Sequence, residues 1–432
     1  FSDIHLAGRL TTRRFHTLGF SAYRAGNQIS SDISSTSFYT AGPDVLSVSR
    51  DEYDWTNWAG QLNHSALVGS RAIVASKLIA SRHESSIAYG TSIAATAIDP
   101  LSNPEGAASE RDALFSSLAD SVALQRNAYE ANTITELRAQ TELDYAAAPG
   151  ASVNVQAFVG RADARFRVGN QFIRRFWNGV EAFEAGGHVV ALLTPGKHFQ
   201  IEPGLRSTYL PELGEVYFEP RLSVRYDAEQ RAWGHFAVRL AGGLYRQFTQ
   251  QLEVSSASPT AVVPSIRFWM PLDGTVAPPS AWHVASELLL VPRGGMSARL
   301  EFYYKNQSRL LALNYAGVAV DPELPPQSPT GLTQDQLMEV GSGRAYGAST
   351  RVQYEADVRV AASYDWSVAK RTFPGRFGGS ETPVRWNLPH RLTLSLQAPL
   401  EFLSTDVSLA AVWQSAWTGG WALRQGYYDY LE

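Results

Sequence analysis

Acidic and basic residues recur at every second position in several stretches of this chain. Glu202 and Arg206 share one parity, as do Glu219, Arg221 and Arg225, and again Arg299 and Glu301. Rows of mixed sign suit a hydrated wall, in which carboxylates and guanidinium groups pair, grip a neighbouring domain or pass a polar solute along. Four aromatic residues placed in connecting segments, Phe268, Trp269, Trp282 and Trp386, have flat faces that stack on a ligand or anchor at a membrane interface. No catalytic constellation accompanies them. The nine histidines include no H-x-x-x-H or H-E-x-x-H pair, and neither G-x-S-x-G nor a P-loop occurs. His390, after Pro389, reads as a strand start rather than a metal ligand. With no cysteine, disulfides, thiolate metal sites and cysteine nucleophiles are excluded. The expectation is a protein that is not an enzyme and carries no cofactor and no resident metal.

The elements that position these rows are β-strands. In residues 297–305, Arg299, Glu301, Tyr303 and Lys305 point one way, and Ala298, Leu300, Phe302 and Tyr304 the other. This period of two marks a half-buried strand. The same split separates Glu136, Arg138, Gln140, Glu142 and Asp144 from Leu137, Ala139, Thr141, Leu143 and Tyr145. It also separates Ser349, Arg351, Gln353 and Glu355 from Thr350, Val352 and Tyr354. Tyr145, Tyr226, Tyr304, Tyr354 and Trp366 fall near strand ends on the apolar face, where an aromatic girdle belongs.

About sixteen strands are expected, many near the roughly 9–11 residues that cross a bilayer at a tilt. Short turns near 11–14, 68–70, 147–151, 194–197, 228–231 and 292–295 alternate with long polar connections near 26–54, 92–131, 246–280, 308–343 and 371–387. That alternation distinguishes an outer-membrane barrel, with periplasmic turns and extracellular loops, from a soluble sandwich. Within one loop, residues 105–131 place Leu114, Leu118 and Val122 at helical spacing. The helix either packs within its loop or forms a lid over the pore.

Composition agrees. No run of 18 apolar residues occurs, which excludes a helical membrane protein. The mean hydropathy of −0.18 is no objection to a barrel, where only alternate residues meet lipid. Charged residues make up 18% and the net charge is −4, which leaves no basic footprint for nucleic acid. Both ends read as cut from a longer protein: Phe1 follows no export signal, and Tyr427-Tyr-Asp-Tyr-Leu-Glu432 does not finish a strand.

Several segments resemble TonB-dependent outer-membrane receptors. Glu219-Pro-Arg-Leu-Ser-Val-Arg-Tyr-Asp227 is similar to the family's EPRLSxRY strand. Ile201-Glu-Pro-Gly-Leu-Arg206 and Ala241-Gly-Gly-Leu-Tyr-Arg-Gln-Phe248 are similar to the segments on either side. Pro278-Pro-Ser-Ala-Trp-His-Val-Ala-Ser-Glu287 precedes Arg299-Leu-Glu-Phe-Tyr-Tyr-Lys305, as a P-x-x-A strand precedes a YYK strand in the family. Gly343-Arg-Ala-Tyr-Gly347 and Asn387-Leu-Pro-His-Arg391 resemble later strands. Ser2-Asp-Ile-His-Leu-Ala-Gly-Arg9 and Leu18-Gly-Phe-Ser-Ala-Tyr23 resemble early strands of the subgroup with a carboxypeptidase-regulatory-like domain.

The resemblance covers nearly the whole chain. It implies a transmembrane antiparallel barrel in the bacterial outer membrane, with residues 1–432 supplying about sixteen of a probable twenty-two strands; a twenty-two-stranded barrel is the size class of outer-membrane transporters. Such a barrel encloses a plug domain, and the sequence departs from the family in lacking that plug and the last strands. The implied function is TonB-energised uptake of a scarce nutrient: a ferric chelate, cobalamin, an oligosaccharide or a peptide. The implied partners are outer-membrane lipid and lipopolysaccharide, the plug, the TonB complex, the nutrient and a surface lipoprotein. A passive porin-like channel and a structural or adhesin barrel are the alternatives. The candidate ligand-binding residues are those of the lumen and loops: Glu202, Arg206, Glu219, Arg221, Arg225, Arg299, Glu301, Phe268, Trp269, Trp282 and Trp386.

Overall fold

The computed structural model describes residues 2–12, 16–37, 45–97, 103–124, 128–168, 176–228, 234–253, 267–314, 333–384, 387–400 and 405–416. Its first ten strands are β1 (Ser2–Thr11), β2 (His16–Ser37), β3 (Val45–Val68), β4 (Ala72–Ala95), β5 (Ala128–Ala148), β6 (Ala151–Val168), β7 (Phe176–Leu193), β8 (Phe199–Leu210), β9 (Glu215–Asp227) and β10 (Gly234–Arg246). A small separate hairpin follows, β11 (Thr249–Glu253) with β12 (Arg267–Pro271). The wall resumes with β13 (Ser280–Pro292), β14 (Met296–Leu313), β15 (Met338–Glu355) and β16 (Arg359–Thr372). A two-residue β17 (Thr382–Pro383), then β18 (His390–Leu400) and β19 (Thr405–Gln414) complete it. Apart from β11, β12 and β17, each strand pairs antiparallel with its neighbours in chain order. Among the described residues the result is a sixteen-stranded up-and-down meander with β1 and β19 at its two edges. It curls, because residues of β4, β6 and β7 share one apolar cluster with residues of β14 and β15. This is the all-β, transmembrane-barrel fold.

Register shows which face meets lipid. Tyr304 pairs with Tyr346, Phe302 with Ala348, Leu300 with Thr350 and Met296 with Tyr354, all on one face. Phe302, Tyr304 and Tyr354 there are about half exposed, as lipid-facing side chains are when seen without lipid. Tyr354 and Tyr346 mark the two rims of this band, eight residues apart on β15. At about 3.3 Å per residue and a tilt near 40°, that is roughly 20 Å of height, close to the apolar band of such barrels. Leu300 lies midway.

The short-turn end follows the sequence expectation. Turns at 69–71, 149–150, 194–198, 293–295 and 356–358 lie at one end of the wall. Gly295 sits at φ +81°, and a Cβ there would lie 2.2 Å from the Glu355 carbonyl oxygen. Gly294, at φ +94°, has open space around it. Gly295→Ala is therefore expected to cost about 1–3 kcal/mol, and Gly294→Ala less. Heat-modifiability midpoints of the two variants would check this order.

The other end departs from expectation. Of residues 26–54, the described ones, 26–37 and 45–54, are strand and not loop: β2 and β3 stay paired from Gly26↔Thr56 out to Ser37↔Val45, and 38–44 lie outside the described residues. The strands run 22 and 24 residues, and β4 matches them at 24. Above the lipid band neither face meets lipid, so the alternation fades, while Thr and Ile favour the extended backbone. β14 and β15 likewise reach into 308–343, and β8 joins β9 at this end through only residues 211–214. The expected helix exists as α1 (Pro104–Leu124). Its Leu114 and Leu118 pack with Leu46, Val48 and Ala94. Leu46 and Val48 share the parity of lipid-facing Leu62, so α1 lies on the outer side of the β3–β4 extension. It buttresses the wall and does not cover the pore.

Candidate functional site

The inward face is the charged one. Across β8 and β9, Arg206 pairs in register with Glu219, Gly204 with Arg221 and Gln200 with Arg225. Glu219 is only 1% exposed. Its Oε1 accepts the Arg246 backbone N–H at 2.7 Å, and Arg206 Nε stands 3.4 Å from Oε2. Arg221 is 3.8 Å from the same carboxylate and lies over the Tyr245 ring at 4.5 Å. Arg206 and Arg138 both lie over Phe158, at 5.1 Å and 4.2 Å, and Arg138 pairs with Glu184 at 2.7 Å. An open groove of about 1060 Å³, bordered by Arg9, Asn63, Lys77 and Gln140, ends at Phe158.

The candidate residues therefore divide. Arg206, Glu219 and Arg221 form one cluster. Glu202 hydrogen-bonds Gln200. Arg225 is engaged with Asp227 at 2.6 Å, toward the short-turn end. Arg299 bridges Glu287 at 3.3 Å and Glu301 at 3.8 Å, a separate wall network.

The aromatic candidates part company. Trp282 lies on the outer face of β13, beside Val284, whose partner Tyr304 belongs to the girdle. It is an exposed rim residue of the barrel exterior and not a loop residue. Trp386 lies outside the described residues. Phe268 and Trp269 sit on β12, whose hairpin with β11 turns inward. Phe268, Met270 and Leu252 bury one face of that hairpin against Ile87, Tyr89, Phe166 and Val180 on one side. Leu313, Leu337 and Met338 close the other side. Phe268 is 2% exposed and has no free face for a ligand.

Asn132, itself buried, fixes the hairpin edge: its Oδ1 accepts the Trp269 N–H at 3.0 Å, and its Nδ2 donates to the Trp269 carbonyl at 3.2 Å. The strap that follows is tied to a short helix, α2 (Gln334–Leu337). The Gln334 N–H donates to Asp273 Oδ2 at 2.8 Å, and the Gln334 side-chain amide donates to the Pro271 carbonyl. Leu272 and Val276 of the strap pack on Leu210 and Tyr217. The mouth at the long-loop end is thus crossed by the chain's own hairpin.

Sequence reasoning missed this hairpin, Asn132, and the lumen residues Tyr245 and His283. The alternation of Leu252 with Gln251 and of Phe268 with Trp269 was visible, but strands of five residues in a connecting segment carry a weak signal.

Comparison with solved structures bears on the architecture. The outer membrane transporter YddB from Escherichia coli matches over 96% of this chain and 63% of its own, with TM-score 0.53 and 9% identity. The copper transporter OprC matches over 95% and 66%, with TM-score 0.54 and 9% identity. The FrpB iron transporter from Neisseria meningitidis (F3-3 variant) matches over 94% and 66%, with TM-score 0.51 and 9% identity. The fold is that of an outer-membrane transporter barrel. The chain spans about two thirds or less of the length of each. No family model matches the sequence, and no curated protein does.

Proposed function

We propose that this chain is the barrel of a TonB-dependent receptor that imports a scarce nutrient across the bacterial outer membrane. The observation that carries the reading is the wall itself: lipid-facing residues outside, ion-paired rows inside, and a mouth narrowed by an inward hairpin. A large lumen lined by paired charges suits an enclosed plug domain, which would be gripped by residues such as Arg138, Glu184 and Arg299. The hairpin and strap close over what enters, and rearrangement driven through TonB from the inner membrane would release it inward. Ferric chelates, cobalamin, oligosaccharides and peptides are the nutrient classes.

The test is growth of a deletion strain on limiting supplies of each class. Loss of growth on one nutrient, reproduced when TonB is removed, is the expected result. The inward hairpin also fits a constricted passive channel. Steady ion conductance from the purified full-length protein, with uptake independent of TonB, would overturn the receptor reading in favour of that channel.

A further inference from the structure

One rung of the inner wall carries cations without acids. Gly204, Arg221, Gly243, His283, Lys305 and Ala345 are successive cross-strand partners on β8, β9, β10, β13, β14 and β15. From Arg221 to Lys305 is three strand spacings, about 14 Å of backbone. The glycines and alanine between and beside them add nothing larger than a methyl group, and the Arg221 side chain lies across Gly243. Tyr245 of the rung above organises one end: the Arg221 guanidinium lies 4.5 Å from its ring centre and the His283 ring 4.6 Å. Tyr303 does the same at the other, with Lys305 Nζ 5.9 Å from its ring centre.

Each acid nearby has another partner, although Glu219 also stands 3.8 Å from Arg221. Glu219 accepts the Arg246 N–H and faces Arg206 more closely than Arg221. Glu287 and Glu301 are held by Arg299, and Asp227 by Arg225 and His235. Lys305 has no carboxylate partner among the described residues. Arg206, Arg221 and Lys305 thus face the lumen with one carboxylate among them, just below the hairpin-crossed mouth.

We infer that the Arg221–His283–Lys305 rung is a binding site for a solute bearing more than one anionic group, carboxylate or phosphate. The inference rests on the importer reading and names its substrate class. Arg221 offers a planar fork that matches either oxyanion in two parallel hydrogen bonds. His283 donates an N–H even as a neutral imidazole. Lys305 provides a mobile point charge at the far end. A solute with a single anionic group engages only one end.

The experiment is isothermal titration of tricarballylate and of pyrophosphate into the purified full-length protein in detergent. At least one is expected to bind, and whichever binds more tightly identifies the oxyanion. The Arg221→Gln/Lys305→Gln double variant should bind at least tenfold more weakly, while Arg359→Gln, far toward the short turns, should match the wild type. Binding of neither anion, or equal binding by the double variant, overturns the inference. A second readout needs no variant: saturating anion should slow acylation of Lys305 at least fivefold, and an unchanged rate overturns the inference. Titration is independent of uptake, so a failure here with nutrient import intact removes only the anion site.

Discussion

Arginine in place of Leu300 is expected to destabilise the folded barrel in lipid by about 2–4 kcal/mol. Leu300 lies midway between the rows that end at Met296 with Tyr354 and at Tyr304 with Tyr346. Its neighbours across the sheet, Leu288 and Thr350, offer no acid to neutralise a guanidinium. The arm of the new side chain is too short to reach either rim of a band roughly 20 Å tall without distorting it. Arginine at Ser297 or Tyr303, of opposite parity on the same strand, points into the lumen and should cost much less. The measurement is reversible unfolding in phospholipid vesicles. Equal penalties on both parities would mean that lipid and lumen have been interchanged.

The second large effect concerns the inward hairpin. Phe268 is 2% exposed and packs 6.1 Å from Phe166, ring centre to ring centre. Truncating such a buried aromatic to alanine removes about 3–5 kcal/mol of packing. Here most of that loss falls on docking of the hairpin, because the wall ladders do not include Phe268. Undocking exposes the Trp269 amide now held by Asn132 at 3.0 Å. Hydrogen exchange at that amide should accelerate by two orders of magnitude or more in Phe268→Ala. Trp269→Ala, whose side chain is 37% exposed, should change exchange at the Met270 amide far less. Unaltered protection in Phe268→Ala would assign the docking to the Asp273–Gln334 strap instead.

Much of the wall was legible in the sequence, because lipid and water on opposite faces impose a period of two wherever the strand lies in the membrane. Residues 297–305 and 136–145 show this, and their pairings keep the expected faces. Above the membrane the same physics removes the signal, so 26–54 read as a loop although 26–37 and 45–54 are paired strands. Trp282 was counted among the loop aromatics; the register of β13 puts it on the outer rim. The site was less legible than the wall. Arg206, Glu219 and Arg221 could be nominated from one stretch of chain, whereas the partnership of Arg221 with His283 and Lys305 depends on three cross-strand registers. Asn132 meets Trp269 across 137 residues of sequence, a contact with no local trace.

The β2–β4 extension has a geometric consequence for traffic at the surface. From the Arg24–Trp58–Arg82 row at the upper rim, β2 continues thirteen residues to Ser37, roughly 30 Å of height at the tilt of the wall. Three mutually paired strands backed by a helix form a parapet on one flank of the mouth. At 211–214, where four residues join β8 to β9, the rim is low. A small solute diffuses past such a barrier without notice, but a bulky visitor, such as an antibody or a phage fibre, meets a steric shadow over one side. The β2–β4 flank and the β8–β9 flank therefore present different heights to a macromolecule, a difference that a small solute does not sense.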